Sequence, residues 1–238
     1  MNPKTLYRCR LRRFRELTPN MRELVVDIQE PPEMAFQSGQ FVMLQIPSSE
    51  GKKEQRAYSI ASDARNSREF TLLIKLIPGG LASAYVQALR EGQDIFFKGP
   101  FGKHEFHRPP PQQVLLLATG AGLSQLYSYV LTHGEHHPET RFFLYLGLWT
   151  ENDVFYSDEL ERLKNRLSNF EYQYVLDQPT PTWGGRRGYV TECLKEHPIL
   201  EKPTDIYLCG NPNMIKSVKS HLEALGFPKE RVFAEAFY

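Results

Sequence analysis

The chain has 238 residues, enough for two medium domains, and 29 basic against 28 acidic side chains leave a net charge of +1, which speaks against a nucleic-acid binder. Three cysteines, Cys9, Cys193 and Cys209, are too few and too scattered for a disulfide framework, a tetrahedral zinc site or a four-cysteine iron–sulfur cluster. No apolar run reaches the ~18 residues of a membrane helix, and the basic start over residues 1–15 has no apolar stretch behind it, so a cytoplasmic protein is expected.

The first half reads as short strands. Residues 6–14 alternate, residues 21–28 place Leu24, Val26 and Ile28 on one side, and residues 41–46, 56–60, 70–76 and 95–98 continue the pattern. Turn clusters such as Pro31-Pro32, Ser38-Gly39 and Pro78-Gly79-Gly80 separate them. One helix is expected over residues 81–89, with Leu81, Tyr85 and Leu89 at helical spacing. Many short strands with turns between them predict a small antiparallel barrel. Residues 1–108 hold 17 Lys/Arg against 12 Asp/Glu, giving +5, and residues 109–238 hold 12 against 16, giving −4. The change falls at His107-Arg108-Pro109-Pro110-Pro111-Gln112, and three prolines continue neither a helix nor a central strand. Domains over residues 1–108 and 112–238 are expected.

The second half alternates strand and helix. Residues 114–118 are wholly apolar, as for a strand buried on both faces of a parallel sheet. A glycine-bearing turn and a helix with Leu123, Leu126, Tyr127 and Val130 at helical spacing follow. Residues 142–148, 172–176, 206–209 and 232–234 read as strands, and residues 157–167 as a helix. Asn211-Pro212 opens a last helix, with Asn as cap, Pro at the first position and Met214, Val218, Leu222 and Leu225 as its buried stripe. This alternation predicts a doubly wound α/β sheet.

Five motifs carry chemistry. Arg56-Ala57-Tyr58-Ser59 puts Arg56 and Tyr58 on one face of a strand, where a ring can stack on a planar cofactor while the guanidinium pairs with its phosphate. A surface cross-strand pair is the plainer explanation. Pro78-Gly79-Gly80-Leu81-Ala82-Ser83 brings flexible backbone to a helix start, which suits an anion, with the Ser83 hydroxyl as a further donor; an ordinary strand-to-helix turn also accounts for it. Thr119-Gly120-Ala121-Gly122 follows the apolar strand, where a doubly wound domain binds a pyrophosphate, although Gln125 stands where a third glycine is usual. Cys209-Gly210-Asn211-Pro212-Asn213-Met214 closes a late strand. There Cys209 would point toward the ligand crevice and Gly210 would admit a nucleotide backbone, unless Cys209 is simply a small buried residue. The chain closes on Glu235-Ala236-Phe237-Tyr238, two aromatics for a flat cofactor or for a core.

In this order and spacing the five motifs resemble the ferredoxin–NADP reductase family of flavoproteins, and Gly99-Pro100-Phe101-Gly102, Tyr156-Ser157-Asp158-Glu159-Leu160 and residues 183–190 extend the resemblance over nearly the whole chain. The resemblance implies an antiparallel β-barrel flavin-binding domain followed by a doubly wound parallel-sheet NAD(P)-binding domain. It implies FAD rather than FMN, and NADPH or NADH as cosubstrate. By the same resemblance Arg56 pairs with the flavin phosphate, Tyr58 stacks on the isoalloxazine and Ser59 bonds near its reactive nitrogen. Gly80, Leu81, Ala82 and Ser83 form a second phosphate-binding segment. Thr119, Gly120 and Gly122, with Gly210 and Met214, take the nicotinamide dinucleotide. Cys209 sits beside the hydride-donating carbon, Glu235 is an acid near the flavin, and Phe237 or Tyr238 covers the other ring face.

Where relatives carry arginine after the second nucleotide-domain strand, this chain reads Gly147-Leu148-Trp149-Thr150. Arg186 and Arg187 lie in a loop within reach of a 2′-phosphate or are plain surface charges, which leaves the choice of nicotinamide open, leaning to NADPH. With no iron–sulfur cysteines, a one-electron partner must be a separate protein. Arg8, Arg10 and Arg12 on one strand face, with Lys52, Lys53 and Arg56, could steer an acidic ferredoxin or flavodoxin, although a plain solvated face explains such charges as well. The rival functions are a free-flavin reductase and a non-catalytic electron-relay subunit.

Overall fold

The computed structural model describes residues 5–47, 54–103, 106 and 109–237. They form two compact units divided between Glu105 and Phe106.

The first unit contains β1 (Leu6–Thr18), β2 (Met21–Glu30), β3 (Phe41–Ile46), β4 (Glu54–Ser59), β5 (Glu69–Lys75), α1 (Leu81–Ala88) and β6 (Asp94–Phe101). The strands pair antiparallel in the order β4-β3-β6-β1-β2-β5. The sheet curls until its two edge strands meet at one end, through an Ile60–Leu72 bridge and a 2.8 Å bond from the Ala61 N–H to the Thr71 carbonyl. Leu24, Val26 and Ile28 do share one face, and they bury against Val42, Leu44, Leu72 and the edge-to-face pair Phe70–Phe97 at 5.2 Å. Helix α1 buries Ala82 and Val86, with Leu89 just past its end, while Leu81 is 47% exposed and Tyr85 half-buried. Its apolar stripe therefore runs through 82, 86 and 89, one residue round from the first half of the expected one.

The arginine row on β1 is no free positive face. Arg8 pairs with Glu30 and Asp94, Arg10 with Asp94, and Arg12 with Asp27 and Glu69. These acids come from β2, β5 and β6, which flank β1 or its neighbour in the sheet. Lys52 and Lys53 lie outside the described residues.

The second unit contains β7 (Gln113–Thr119), α2 (Leu123–His133), β8 (Arg141–Leu148), α3 (Ser157–Arg166), β9 (Phe170–Leu176), β10 (Arg186–Arg187), β11 (Thr204–Gly210), α4 (Pro212–Ala224) and β12 (Val232–Ala236). Its strands are all parallel, in the order β10-β9-β8-β7-β11-β12. One face of the sheet, with Leu115, Leu117, Ile206 and Leu208, packs against α4 and a 3-10 turn over Val190–Glu196. The other carries Tyr207, which meets Tyr129 of α2 at 5.1 Å between ring centres. Phe106, expected in the first domain, belongs here. Its ring stacks on His133 at 4.6 Å and on Tyr207 at 5.5 Å, so this core takes hold of the chain before the proline run. In α4 the buried stripe is Ile215, Val218 and Leu222. Met214 is only half-buried and Leu225, which caps the helix end, is 43% exposed.

Candidate functional site

Residues 114–118 of strand β7 are wholly apolar because both faces of the strand are covered, and it lies between β8 and β11. The chain moves from β7 to β8 on one side and returns to β11 on the other. The carboxyl ends of β7 and β11 thus form the topological switch point where wound sheets bind their ligands.

Four predicted segments converge there. The first is the loop after β7. Gly120 has φ +53°, and a Cβ built on it would meet nothing within 4 Å. A Cβ on Gly122 would instead lie 2.1 Å from the Cys209 carbonyl oxygen, so only glycine lets the start of α2 rest on β11. The second is Gly210, at φ +128°, where a Cβ would fall 2.3 Å from Thr119 Oγ1. The Thr119 hydroxyl oxygen accepts the Asn211 N–H at 2.8 Å, and Asn211 Oδ1 caps α4 by accepting the Asn213 N–H at 2.8 Å. The third is Glu235, in register with Cys209 across β11 and β12. The fourth is Phe237, whose N–H donates to the Gly210 carbonyl at 2.9 Å. Tyr238 lies outside the described residues. Met214 stands in the first turn of α4 and packs against the core.

Two features depart from the sequence reading. Cys209 has no accessible surface, where it was expected to open onto a ligand crevice. Alternation along β11 turns it to the same face as Tyr207, toward α2. Burial, and then the neighbouring Glu235 carboxylate, push its thiol well above the usual range, so it stays protonated. Gln125, noted in the sequence only as a missing glycine, is buried and donates from Nε2 to Glu235 Oε2 at 2.6 Å. It ties α2 to the acid at the end of β12.

In the first unit, Arg56 lies opposite Leu44 and Tyr58 opposite Val42, on the core side of the edge strand β4. Tyr58 is half-buried against the core, and burial raises its hydroxyl pKa against the opposing influence of Arg56. The exposed Arg56 guanidinium bonds Glu54 at 3.0 Å and the Gln55 carbonyl at 2.8 Å. A solvent-exposed pair of this kind is weak. Ser59 is buried on the opposite face, across from Phe41, whose ring stacks on Phe101 at 5.7 Å.

Gly80 precedes α1 in an extended conformation, with no side-chain cap and no acid in the first helical turn. Such an end leaves N–H groups for an anion. A cleft of about 530 Å³ opens beside it, lined among others by Ile77, Gly79, Gly80 and Leu81. The Ser83 hydroxyl oxygen accepts the Ile77 N–H at 2.7 Å, so it holds the glycine turn in shape, and Ala82 is buried beneath it.

Both arginines of the 183–190 loop are engaged. Arg186 binds Glu196 and Gln173. Arg187 Nη2 donates to the carbonyls of Thr180, Pro181 and Trp183 at 2.9, 3.0 and 3.0 Å.

Residues 8–106 match the Oxidoreductase FAD-binding domain family, and residues 116–220 the Oxidoreductase NAD-binding domain family. Ferredoxin–NADP reductase B of Sorangium cellulosum is 31% identical over 240 residues, which cover 97% of this chain and 97% of that protein. This chain belongs to the ferredoxin–NADP reductase family. It is an oxidoreductase with an FAD-binding domain followed by an NAD-binding domain. The reductase is also 29% identical over 210 residues to the anthranilate 1,2-dioxygenase electron transfer component of Acinetobacter baylyi, covering 88% of this chain but only 60% of that relative's length. The ferredoxin NADP+ reductase of Neisseria gonorrhoeae, solved with bound FAD and NADP, shares the fold at a TM-score of 0.82 and 22% identity, over 98% of each chain. Among the described residues no helix is long and apolar enough to cross a membrane.

Proposed function

We propose that this reductase moves a hydride between NAD(P)H and FAD held by its first domain, and exchanges electrons singly with a separate carrier such as ferredoxin or flavodoxin. The observation that carries the reading is the glycine-lined switch point, where Gly122 and Gly210 allow backbone contacts that any side chain would block. When bound, FAD supplies the chemistry, accepting two electrons together and releasing them one at a time.

The chain's own residues bind, orient and shield. Arg56 gives up its exposed Glu54 partner for the flavin phosphate, and the first turn of α1, from Gly80 through Leu81, Ala82 and Ser83, presents N–H groups to the second phosphate. Tyr58, half sunk in the barrel core, offers a fixed ring face for stacking, and Ser59 bonds near the reactive nitrogen. Thr119, Gly120, Gly122 and Gly210 cradle the dinucleotide, with Met214 beside them. Cys209 stays a small neutral group. Glu235 is fixed by Gln125 and keeps a carboxylate near the ring edge. Phe237 or Tyr238 covers the ring and excludes water until the nicotinamide enters. The +5 charge of residues 1–108 supports an acidic carrier, although the β1 arginines are already paired within their own sheet.

Exhaustive dialysis followed by titration tests this. FAD should be retained, should lose its colour on addition of NADH or NADPH, and should regain it when oxidised ferredoxin or flavodoxin is added. A free-flavin reductase would lose its flavin on dialysis, and a relay subunit would show no change with either nicotinamide.

A further inference from the structure

We infer that Glu151 makes this reductase selective for NADH over NADPH, by fixing a carboxylate where the adenosine ribose of the nucleotide binds. The inference rests on the proposed nucleotide site and deepens it.

In wound sheets the adenosine ribose lies beyond the carboxyl end of the second strand. An acid there bonds the free 2′-hydroxyl, and an arginine there receives a 2′-phosphate. The second strand of this domain is β8, which ends at Leu148. Backbone bonds carry its alignment with the β9 side onward, from the Asp177 N–H to the Leu148 carbonyl at 3.0 Å and from the Gln178 N–H to the Trp149 carbonyl at 2.9 Å. The first charged residue after β8 is Glu151. Its carboxylate is held by Thr180: Oε1 accepts the Thr180 N–H at 2.8 Å and the Thr180 hydroxyl at 2.5 Å. The Thr180 bonds first, and Arg187 more weakly, draw its pKa below the ordinary carboxylate value, so it is charged at neutral pH. Asp153 adds a second carboxylate to the same turn, with Oδ2 bonded to the Thr150 N–H and hydroxyl at 2.9 Å each.

Both arginines of the neighbouring loop are already engaged. Arg186 is clamped by Glu196. Arg187 braces the carbonyls of the very loop that carries Thr180, and its charge already acts on Glu151, where it helps hold the carboxylate ionised. A 2′-phosphate would bring roughly two further negative charges to this edge. A 2′-hydroxyl would instead bring a hydrogen-bond donor to a carboxylate whose Oε1 is fixed by Thr180. Trp149, 57% exposed at the same strand end, offers a stacking face to the adenine that both nucleotides share.

The test is calorimetric binding of NAD+ and of NADP+ to the dialysed, FAD-loaded protein. The wild type should bind NAD+ at least about ten-fold more tightly, the scale of one or two unit-charge repulsions near a wet surface. Glu151→Gln keeps an acceptor for Thr180 and removes the charge, so it should shrink the ratio several-fold, mainly by tightening NADP+. Trp149→Ala should weaken both nucleotides alike and leave the ratio unchanged. Equal or tighter binding of NADP+ by the wild type would overturn the inference, as would a ratio that Glu151→Gln does not move. Binding of neither nucleotide would overturn the proposed function, and this inference with it.

Discussion

Replacing Gly122 by alanine separates steric exclusion from backbone strain at the nucleotide loop. Gly122 has φ −58° and ψ −17°, which any residue adopts, so the substitution carries no conformational penalty of its own. The new methyl group, however, would sit 2.1 Å from the Cys209 oxygen, 2.5 Å from its carbonyl carbon and 2.9 Å from the Gly210 nitrogen. All three atoms are backbone, in a strand paired on both sides by β7 and β12. Reaching an ordinary contact needs a displacement of roughly 1.3 Å. Overpacking costs about 1–3 kcal/mol, and immobile neighbours place this site at the upper end. At this chain length that corresponds to a fall in melting temperature of about 6–12 °C. A shift of that size in a positioning loop should also weaken NAD+ binding or hydride transfer by about 10²-fold. Gly120→Ala is the control. Its φ of +53° strains a side chain by about 1–2 kcal/mol, but the space around it is open, so the loop keeps its place. Calorimetric unfolding and NAD+ titration of both variants provide the readout. If Gly122→Ala matched the wild type in both, or lost less binding than Gly120→Ala, the close packing of α2 on β11 would not be what shapes the site.

Other substitutions test separate parts. Asp205 is buried, and its Oδ1 accepts from Arg231 at 3.0 Å, so Arg231→Ala should cost about 3 kcal/mol in urea unfolding, and adding Asp205→Asn should restore much of it. His197 bonds the Tyr145 hydroxyl at 2.7 Å, and burial pulls its pKa below 6.5, so the unfolded chain binds the extra proton first. Its contribution is therefore complete above pH 6.5 and lost as pH falls below it, and His197→Gln should flatten that part of the stability–pH curve. Tyr58→Ala should release flavin on dialysis by removing the stacking face, with little loss of fold stability because Tyr58 is only half-buried. Native Cys209 should resist a thiol reagent at pH 8 and react only on unfolding, because it is sealed and its thiol pKa is raised.

Much of the fold is legible in the sequence, because burial and period coincide. Residues 114–118 announce β7 as a strand covered on both faces, and Asn211-Pro212 marks the start of α4 through cap chemistry that acts within three residues. What escapes depends on distant partners. Strand β10 consists of Arg186 and Arg187, two charged residues with no strand pattern, and exists only through backbone pairing to Val175 and Leu176. Phe106 sits in a polar stretch and reveals its domain only through His133 and Tyr207. Arg8, Arg10 and Arg12 look like a free cationic face until Asp94 and Glu69 arrive from other strands. At the site, the glycines can be named from the sequence, but the reason for Gly122 lies in a carbonyl on another strand. Gln125 looks like a defect in a motif and proves to hold Glu235. Glu151 draws no notice until Thr180 is seen to hold its carboxylate.

If one chain holds working sites for both redox cofactors, electrons must pass from the nicotinamide to the flavin within it. Anaerobic rapid mixing of the FAD-loaded protein with NADH, following flavin absorbance, tests it most directly. The flavin should bleach in a single turnover at a rate that saturates with NADH concentration, and Gly122→Ala should slow that step strongly. A flavin that stays oxidised under excess NADH and excess NADPH alike would contradict it.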